Sequence, residues 1–430
     1  MTPGDVLRRS PLIATWFSLH GNAKMCMATE PMWGIPNQMI APFVSVYMAC
    51  LGLSDLNIGT LGTITLVGQV LASLLSGVIT DKLGRRRTTF IFDVLSWTVA
   101  TVIWCFAQNY WWFVAGAVFI SINMISGNSW NCLLVEDTPR DKLVHVYAII
   151  TIMTNLAVFS LPLASLLVAR TSVVFAMRWF YGFAAVCMTA KFVLLWFRST
   201  ETRQGAVRMA EMKGASIFRH TFQLKDILAA MLRDGVMRRI LALNMLAIII
   251  QQVTTSFFGL YVTKNLMLPE RILGYFPVVT SVITLAFLFS LQHVLDRFAV
   301  KRVMLAGLAL YAASFLVLLT ARARGLGTVL VYVVLSALAV VFFQPRKDSF
   351  VAVSIDPVER PRITGMISVV TMLIASPFGA IIGYLSELNR RYPFWLCLGV
   401  FALMAALVYS FSMESLGKRE AGQETGKEIS

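Results

Sequence analysis

The fold class this sequence predicts is an all-α membrane protein of twelve transmembrane helices arranged as two pseudo-symmetric six-helix bundles, and three observations carry the prediction. Of the 430 residues, 57% are hydrophobic and only 14% charged, with a mean hydropathy of +0.73. A soluble domain carries a far larger charged share. Apolar runs of about 20 residues, the length that crosses a bilayer core as a helix, recur along the chain with short polar breaks. Loops at matching places in the two halves echo one another, the mark of an internal repeat. Helices are the open-ended solution in lipid, because each segment must satisfy its own backbone N–H and C=O groups there.

The first six spans fall near residues 22–51, 57–80, 88–107, 110–135, 144–168 and 174–197, so that residues 1–197 form an N-terminal half. Residues 198–237, with Arg198, Arg203, Arg208, Lys213, Arg219, Lys225 and Arg233, are too polar to cross and form a central loop. Spans near 239–263, 271–292, 302–320, 327–354, 363–386 and 392–412 make the C-terminal half, 238–412, and residues 413–430 form a polar tail. Short cytoplasmic loops are enriched in Lys and Arg. With both termini inside, the outer loops hold only Arg170, Arg178, Lys264, Arg271, Arg322, Arg324, Arg390 and Arg391, against roughly twenty-six basic residues on the cytoplasmic side. The expectation is a multi-pass protein of the cell membrane with both termini cytoplasmic.

The net charge of +15 does not point to nucleic acid, because the basic residues sit at the ends of apolar runs and form no continuous face. Arg8 and Arg9 precede a short, interrupted apolar stretch from Leu12 to Leu19, so no removable signal peptide is expected. The six cysteines, Cys26, Cys50, Cys105, Cys132, Cys187 and Cys397, are scattered singly and read as small core residues. His20, His145, His220 and His293 show no metal-binding spacing, no phosphate-cradling glycine loop is present, and no cofactor is expected.

The segment Gly77-Val78-Ile79-Thr80-Asp81-Lys82-Leu83-Gly84-Arg85-Arg86-Arg87 resembles the G-x-x-x-D-[RK]-x-G-R-[RK] signature of the major facilitator superfamily and stands where that family carries it, between the second and third helices. A degraded second copy, Asp296-Arg297-Phe298-Ala299-Val300-Lys301-Arg302, follows the eighth span. Glu136-Asp137-Thr138-Pro139-Arg140 after the fourth span is echoed by Asp356-Pro357-Val358-Glu359-Arg360 after the tenth. The resemblance covers almost the whole chain and names no substrate. It implies the superfamily fold, alternating access, and a central cavity lined by the first, fourth, seventh and tenth spans. It also implies a cytoplasmic latch of Gly77, Asp81, Gly84, Arg85, Arg86, Glu136, Asp137, Asp296 and Arg297 that breaks during transport, with the eleventh span as packing partner through Gly379 and Gly383.

The residues themselves support a built cluster at this place. Gly68, Ala72 and Ser76 give the second span a small-residue stripe that admits another helix closely, and Gly77 continues it. Asp81 can meet the positive end of a neighbouring helix, while Arg85 and Arg86 can pair with Glu136 or Asp137. A plain basic anchor would not need Gly77, Asp81 and Gly84 at fixed places. Some family subpatterns are missing. Asn123 and Gly127 stand in the fourth span where many proton-coupled members carry an arginine, and Pro162 lacks the glycines of the antiporter pattern. The likeness of Thr202-Arg203-Gln204-Gly205 to a sugar-porter signature reads as chance.

Ionisable residues inside a span are costly and mark pathways. Glu30 is followed at helical spacing by Trp33 and Asn37, among Pro31, Pro36 and Pro42, and is the candidate proton-binding or substrate-binding carboxylate; the bland alternative is an interfacial acid. In the tenth span Gln344, Lys347 and Asp348 share a face, and Arg346 is expected to snorkel. Glu30 and Lys347 are expected to pair across the cavity when the cytoplasmic side is closed. Asn123, Asn128 and Asn131 in the fourth span, with Trp130, and Asn244, Gln251 and Thr255 in the seventh, form amide stripes that either bind solute or bridge helices. Lys191 is expected to snorkel, and Asp93 to neutralise a motif arginine.

The function these readings favour is secondary active transport of a small organic solute, with a proton as candidate coupling ion, by a protein working as a monomer in the bilayer. Trp33, Trp130, Phe342 and Phe343 tilt the solute toward amphipathic. A lipid-modifying membrane enzyme is disfavoured by the lack of a Ser-His-Asp set, a metal cluster or paired carboxylates in one loop. A transporter-like receptor stays open as an alternative, since binding and translocation use the same cavity.

Overall fold

The computed structural model describes residues 11–212, 233–290, 295, 298–355 and 360–410. Among the described residues, eleven helices are long and apolar enough to cross a membrane. They are α2 (Asp55–Leu83), α3 (Arg85–Cys105), α4 (Tyr110–Val135), α5 (Arg140–Arg170), α6 (Val173–Arg198), α7 (Gly235–Asn265), α8 (Glu270–Phe287), α9 (Val300–Thr320), α10 (Leu326–Val351), α11 (Ile363–Leu388) and α12 (Tyr392–Tyr409). The segment α1 (residues 21–50) completes the bundle, although Lys24, Glu30 and several amides make it less apolar. It runs as a helix from Gly21 to Ile40 with Pro31 and Pro36 inside, tightens to a 3₁₀ turn at Ala41–Phe43, and resumes over Val44–Cys50. The turn falls at Pro42, which has no N–H to continue the ladder.

Polar caps set where the helices begin. The side chains of Ser54, Asn109, Ser172 and Asp234 accept from the first-turn amides of α2, α4, α6 and α7, satisfying donors that have no partner within the helix. Gly84, at φ +87°, makes the break between α2 and α3. An added Cβ there would also lie 2.6 Å from Glu201 Oε2, so both backbone and space require glycine.

Each half has its own aromatic core. In the first, Tyr47 packs on Phe113 and Tyr181, and its hydroxyl donates to the Trp104 carbonyl at 2.9 Å. In the second, Tyr311 stacks on Phe401 at 5.2 Å, and Phe315 bridges Phe401, Phe394 and Tyr332.

The halves meet through glycines at one end of the bundle. Gly59 of α2 lies against Gly379 and Gly383 of α11, Gly259 of α7 against Pro42 and Ser45 of α1, and Gly274 of α8 against Leu161 and Ser165 of α5. Such residues let helix backbones approach closely, which in lipid supplies the packing attraction that the hydrophobic effect supplies in water. Hydrogen bonds and an ion pair cluster beside them. Arg390 donates to Asp55 at 2.9 and 3.1 Å, Ser386 to Asp55 at 2.6 Å, Leu56 N–H to Glu387 at 3.2 Å, and Thr63 to the Ser376 carbonyl at 2.7 Å. None of these bonds lies at the opposite end, where a Cβ on Gly77 would meet no described residue within 4 Å.

The expected pairing of α2 with α11 is present, but the glycine that makes it is Gly59, about five turns from the motif. The stripe predicted to serve it faces elsewhere: Gly68 packs on Ser121 of α4. Asp296, Arg297 and the loop 356–359 lie outside the described residues, as do residues 213–232 of the central loop, whose described part includes a helix at Arg203–Glu211.

Candidate functional site

Two pockets occupy corresponding helices of the two halves. The first, of 260 Å³, lies among α1, α3, α4 and α6; the second, of 410 Å³, lies among α7, α9, α10 and α12. Helical periodicity builds the first one: Glu30 and Trp33 project from α1 three residues apart, Asp93 and Trp97 from α3 four apart, and Asn123, Gly127 and Trp130 from α4 at four and three. Gly127 leaves the wall open, since a Cβ there would touch nothing within 4 Å.

Lys191 enters this pocket from α6 and donates to Glu30 Oε2 at 2.8 Å, the two side chains being 6% and 9% exposed. Its ammonium also lies 5.8 Å from the Trp33 ring centroid and 5.5 Å from that of Trp130. Trp33 meets Trp97 edge to face at 5.3 Å. The indole N–H of Trp130 is buried without an acceptor. With Asp93 on the wall, the pocket holds two carboxyl groups and one ammonium.

In the second pocket, Lys347 of α10 is 7% exposed and contacts Asn244 Oδ1 at 3.4 Å and Asp348 Oδ1 at 3.5 Å. Gln251 and Gln344 line the same space, with Tyr311, Phe315 and Phe401 as apolar walls. Asp348 is turned outward and takes hydrogen bonds from Gln344 at 3.0 and 3.1 Å.

The structure therefore brings Glu30, Trp33 and Asn123 together in one pocket and Gln251, Gln344 and Lys347 in the other, with Asp348 at the edge of the latter. Asn37 lines neither. Asn128 donates to Thr80 of α2 at 3.3 Å, and Asn131 accepts from Tyr147 of α5 at 2.8 Å, so both tie helices together.

Several expectations are corrected. Glu30 pairs here with Lys191, which sequence reasoning had not placed beside it; its pairing with Lys347 was expected for the state with the cytoplasmic side closed. Lys191 does not snorkel, because it falls on the inward face of α6 with Ala184, Met188 and Leu195. That period was readable, and it places the ammonium about 10 Å inside the helix end at Arg198. Asp93 lies on the buried face of α3 with Thr89 and Ser96 and lines the Glu30 pocket; it shares a small second cavity with Arg86 but, among the described residues, forms no ion pair with a motif arginine. Arg346 is buried, not snorkelling, and donates to the Val341 carbonyl at 3.2 Å.

Among the described residues, the motif forms a charge cluster with the exit of α4 and the start of the central loop. Arg85 pairs with Asp81 at 2.7 Å and with Glu136 at 3.0 Å. The Arg86 side chain pairs with no acid among the described residues; it donates to the Trp196 carbonyl and lies 4.3 Å over that indole ring. Asp81 meets Arg85 and not a helix end, and Asp137 accepts the Arg203 amide at 3.4 Å. Glu201 accepts the amides of Arg85 and Arg86 at 2.9 and 3.1 Å, while Thr202 caps the Arg203–Glu211 helix and donates to Glu136 at 2.5 Å. Glu201 and Thr202 were missed by sequence reasoning; the signal was the capping threonine just past the end of α6, in the stretch read as chance.

Two helical bundles sealed at one end, with polar pockets buried on matching helices, define a membrane transporter and not an enzyme. The chain belongs to the Major Facilitator Superfamily, whose family model matches residues 33–290 and again 240–428. A search of curated protein sequences finds no significant match. Among solved structures, the nucleoside transporter NupG has a TM-score of 0.69 at 14% identity, covering 91% of this chain and 100% of that one. The peptide transporter POT in complex with sulfate has a TM-score of 0.69 at 14% identity, covering 94% and 96%. The xylose transporter XylE from E. coli, in an inward open conformation, has a TM-score of 0.64 at 14% identity, covering 90% and 95%. At such identities the likeness is one of fold.

Proposed function

We propose that the chain is a secondary active transporter that carries a small organic solute across the cell membrane by alternating access, with both termini cytoplasmic and a proton as coupling ion. The observation that carries the reading is the one-ended seal: the halves join through Gly59, Gly379 and the Asp55–Arg390 pair, and each half holds a polar pocket on corresponding helices. With the basic loops inside, that seal is on the outer side, and the arrangement is inward-facing. The related fold of the inward open xylose transporter, and the nucleosides and peptides carried by other neighbours, support a small polar cargo.

Transport then requires the α2–α11 contact to part and the cytoplasmic ends to close. The pocket of the first half supplies the coupling site. Lys191 neutralises Glu30, and a proton on the remaining carboxyl of Asp93 brings the buried set to zero net charge. Release of that proton on the other side returns a charge that the interior does not tolerate unpaired, which links proton binding to the conformational change.

A disulfide across the seal tests the mechanism. In a background lacking the native cysteines, Asp55→Cys with Ser386→Cys should trap the inward-facing state on oxidation, stopping uptake into proteoliposomes of a solute that stabilises the purified protein; reduction should restore it. Uptake that continues with the seal cross-linked refutes alternating access.

A further inference from the structure

Each half buries one lysine, and the two are treated differently. Lys191 has a carboxylate at 2.8 Å. Lys347 is buried to a similar degree, 7% against 4% exposed, yet its neighbours are an amide oxygen at 3.4 Å and an Asp348 oxygen at 3.5 Å. Both are beyond the roughly 2.7–2.9 Å of a charge-assisted hydrogen bond. Asp348 is poorly placed to close the gap, because its carboxylate is 60% exposed and both oxygens are engaged by Gln344. An ammonium has three donors, and a charge taken out of water needs a partner at short range.

From this contrast we infer that Lys347 is the receptor for a carboxylate of the solute, and that the cargo is an organic monoanion bearing an aromatic ring. The inference rests on the carrier reading above. The anion completes at Lys347 the pairing that Glu30 already gives Lys191, and the side-chain amide of Gln251, which lines the same space, can donate to its second oxygen. Tyr311, Phe315 and Phe401 line the 410 Å³ space and suit a ring beyond the carboxylate. A cationic solute would meet like charge here, a neutral one would leave the ammonium as it is, and a dianion would exceed the single positive charge among the lining residues.

The test uses the purified full chain and matched probes: phenylacetate and 3-phenylpropionate, each against its own primary amide, read by melting temperature and by titration. The acids should bind and their amides should bind at least about tenfold more weakly. Lys347→Gln should reduce acid affinity on the order of 10- to 100-fold, to the amide level, while Lys347→Arg keeps the preference. Asn244→Asp is the second arm: it hands Lys347 an internal carboxylate and should abolish acid binding without lowering the melting temperature. Equal binding of acid and amide, acid binding indifferent to Lys347→Gln and Asn244→Asp, or no binding of either acid to cooperatively melting protein overturns the inference. Uptake of a neutral solute by proteoliposomes, unaffected by Lys347→Gln, overturns the inference and leaves the carrier reading standing; cross-linked protein that still transports overturns the carrier reading itself.

Discussion

Removing the lysine of the first pocket is the most informative perturbation of the fold. At 2.8 Å the Lys191–Glu30 attraction is about 6 kcal/mol for an effective dielectric of about 20. Desolvation of two side chains that are 6% and 9% exposed offsets most of it, so the pair adds little over an apolar replacement of equal volume. Breaking the pair from one side is different, because the desolvation cost of the survivor persists. Lys191→Met leaves Glu30 and Asp93 buried in one 260 Å³ pocket with no cation and should destabilise by about 3–5 kcal/mol. Glu30→Gln with Lys191→Met removes both charges and should recover most of that loss. The assay is a thermal double-mutant cycle on detergent-purified protein followed by tryptophan fluorescence, to which Trp33, Trp97 and Trp130 in the pocket contribute. A Lys191→Met variant as stable as the parent, or a double variant no better than the single one, would refute the reasoning.

Three further outcomes follow from the same geometry. Gly59→Leu places a side chain where Gly379 and Gly383 now sit, so labelling of a cysteine introduced at Thr63 from the outer side should rise; unchanged labelling would show that this contact is not the seal. Gly84→Ala imposes a side chain at φ +87° and crowds Glu201, and should destabilise by more than the 1 kcal/mol or so typical of a strained position, seen as a lower melting temperature. Asp93→Asn removes the carboxyl proposed to take the coupling proton, so uptake driven by a pH gradient should fall to the level of exchange without a gradient, measured in proteoliposomes with the pH difference set and then collapsed.

The family, the helical class and the approximate spans were legible because a bilayer imposes a length and a composition on anything that crosses it, and because Gly77 to Arg87 is a local pattern. Glu30 was legible for the same reason: a carboxyl inside an apolar run stands out. Its partner was not. Lys191 lies 161 positions away, and neither end of that separation carries a spacing rule.

By itself the sequence determined which segments are helices in lipid, to within a few residues at their ends, and where the family motif stands. Only the tertiary structure decided which charges meet. Helix rotation about its axis brings Lys191 to Glu30 in this state, and helix crossing selects Gly59 over Gly68 for the contact with α11. The physical reason is range. Hydropathy and backbone satisfaction act within one segment, whereas ion pairs and glycine contacts act over a few ångströms between segments whose relative rotation is fixed by the packing of the whole bundle.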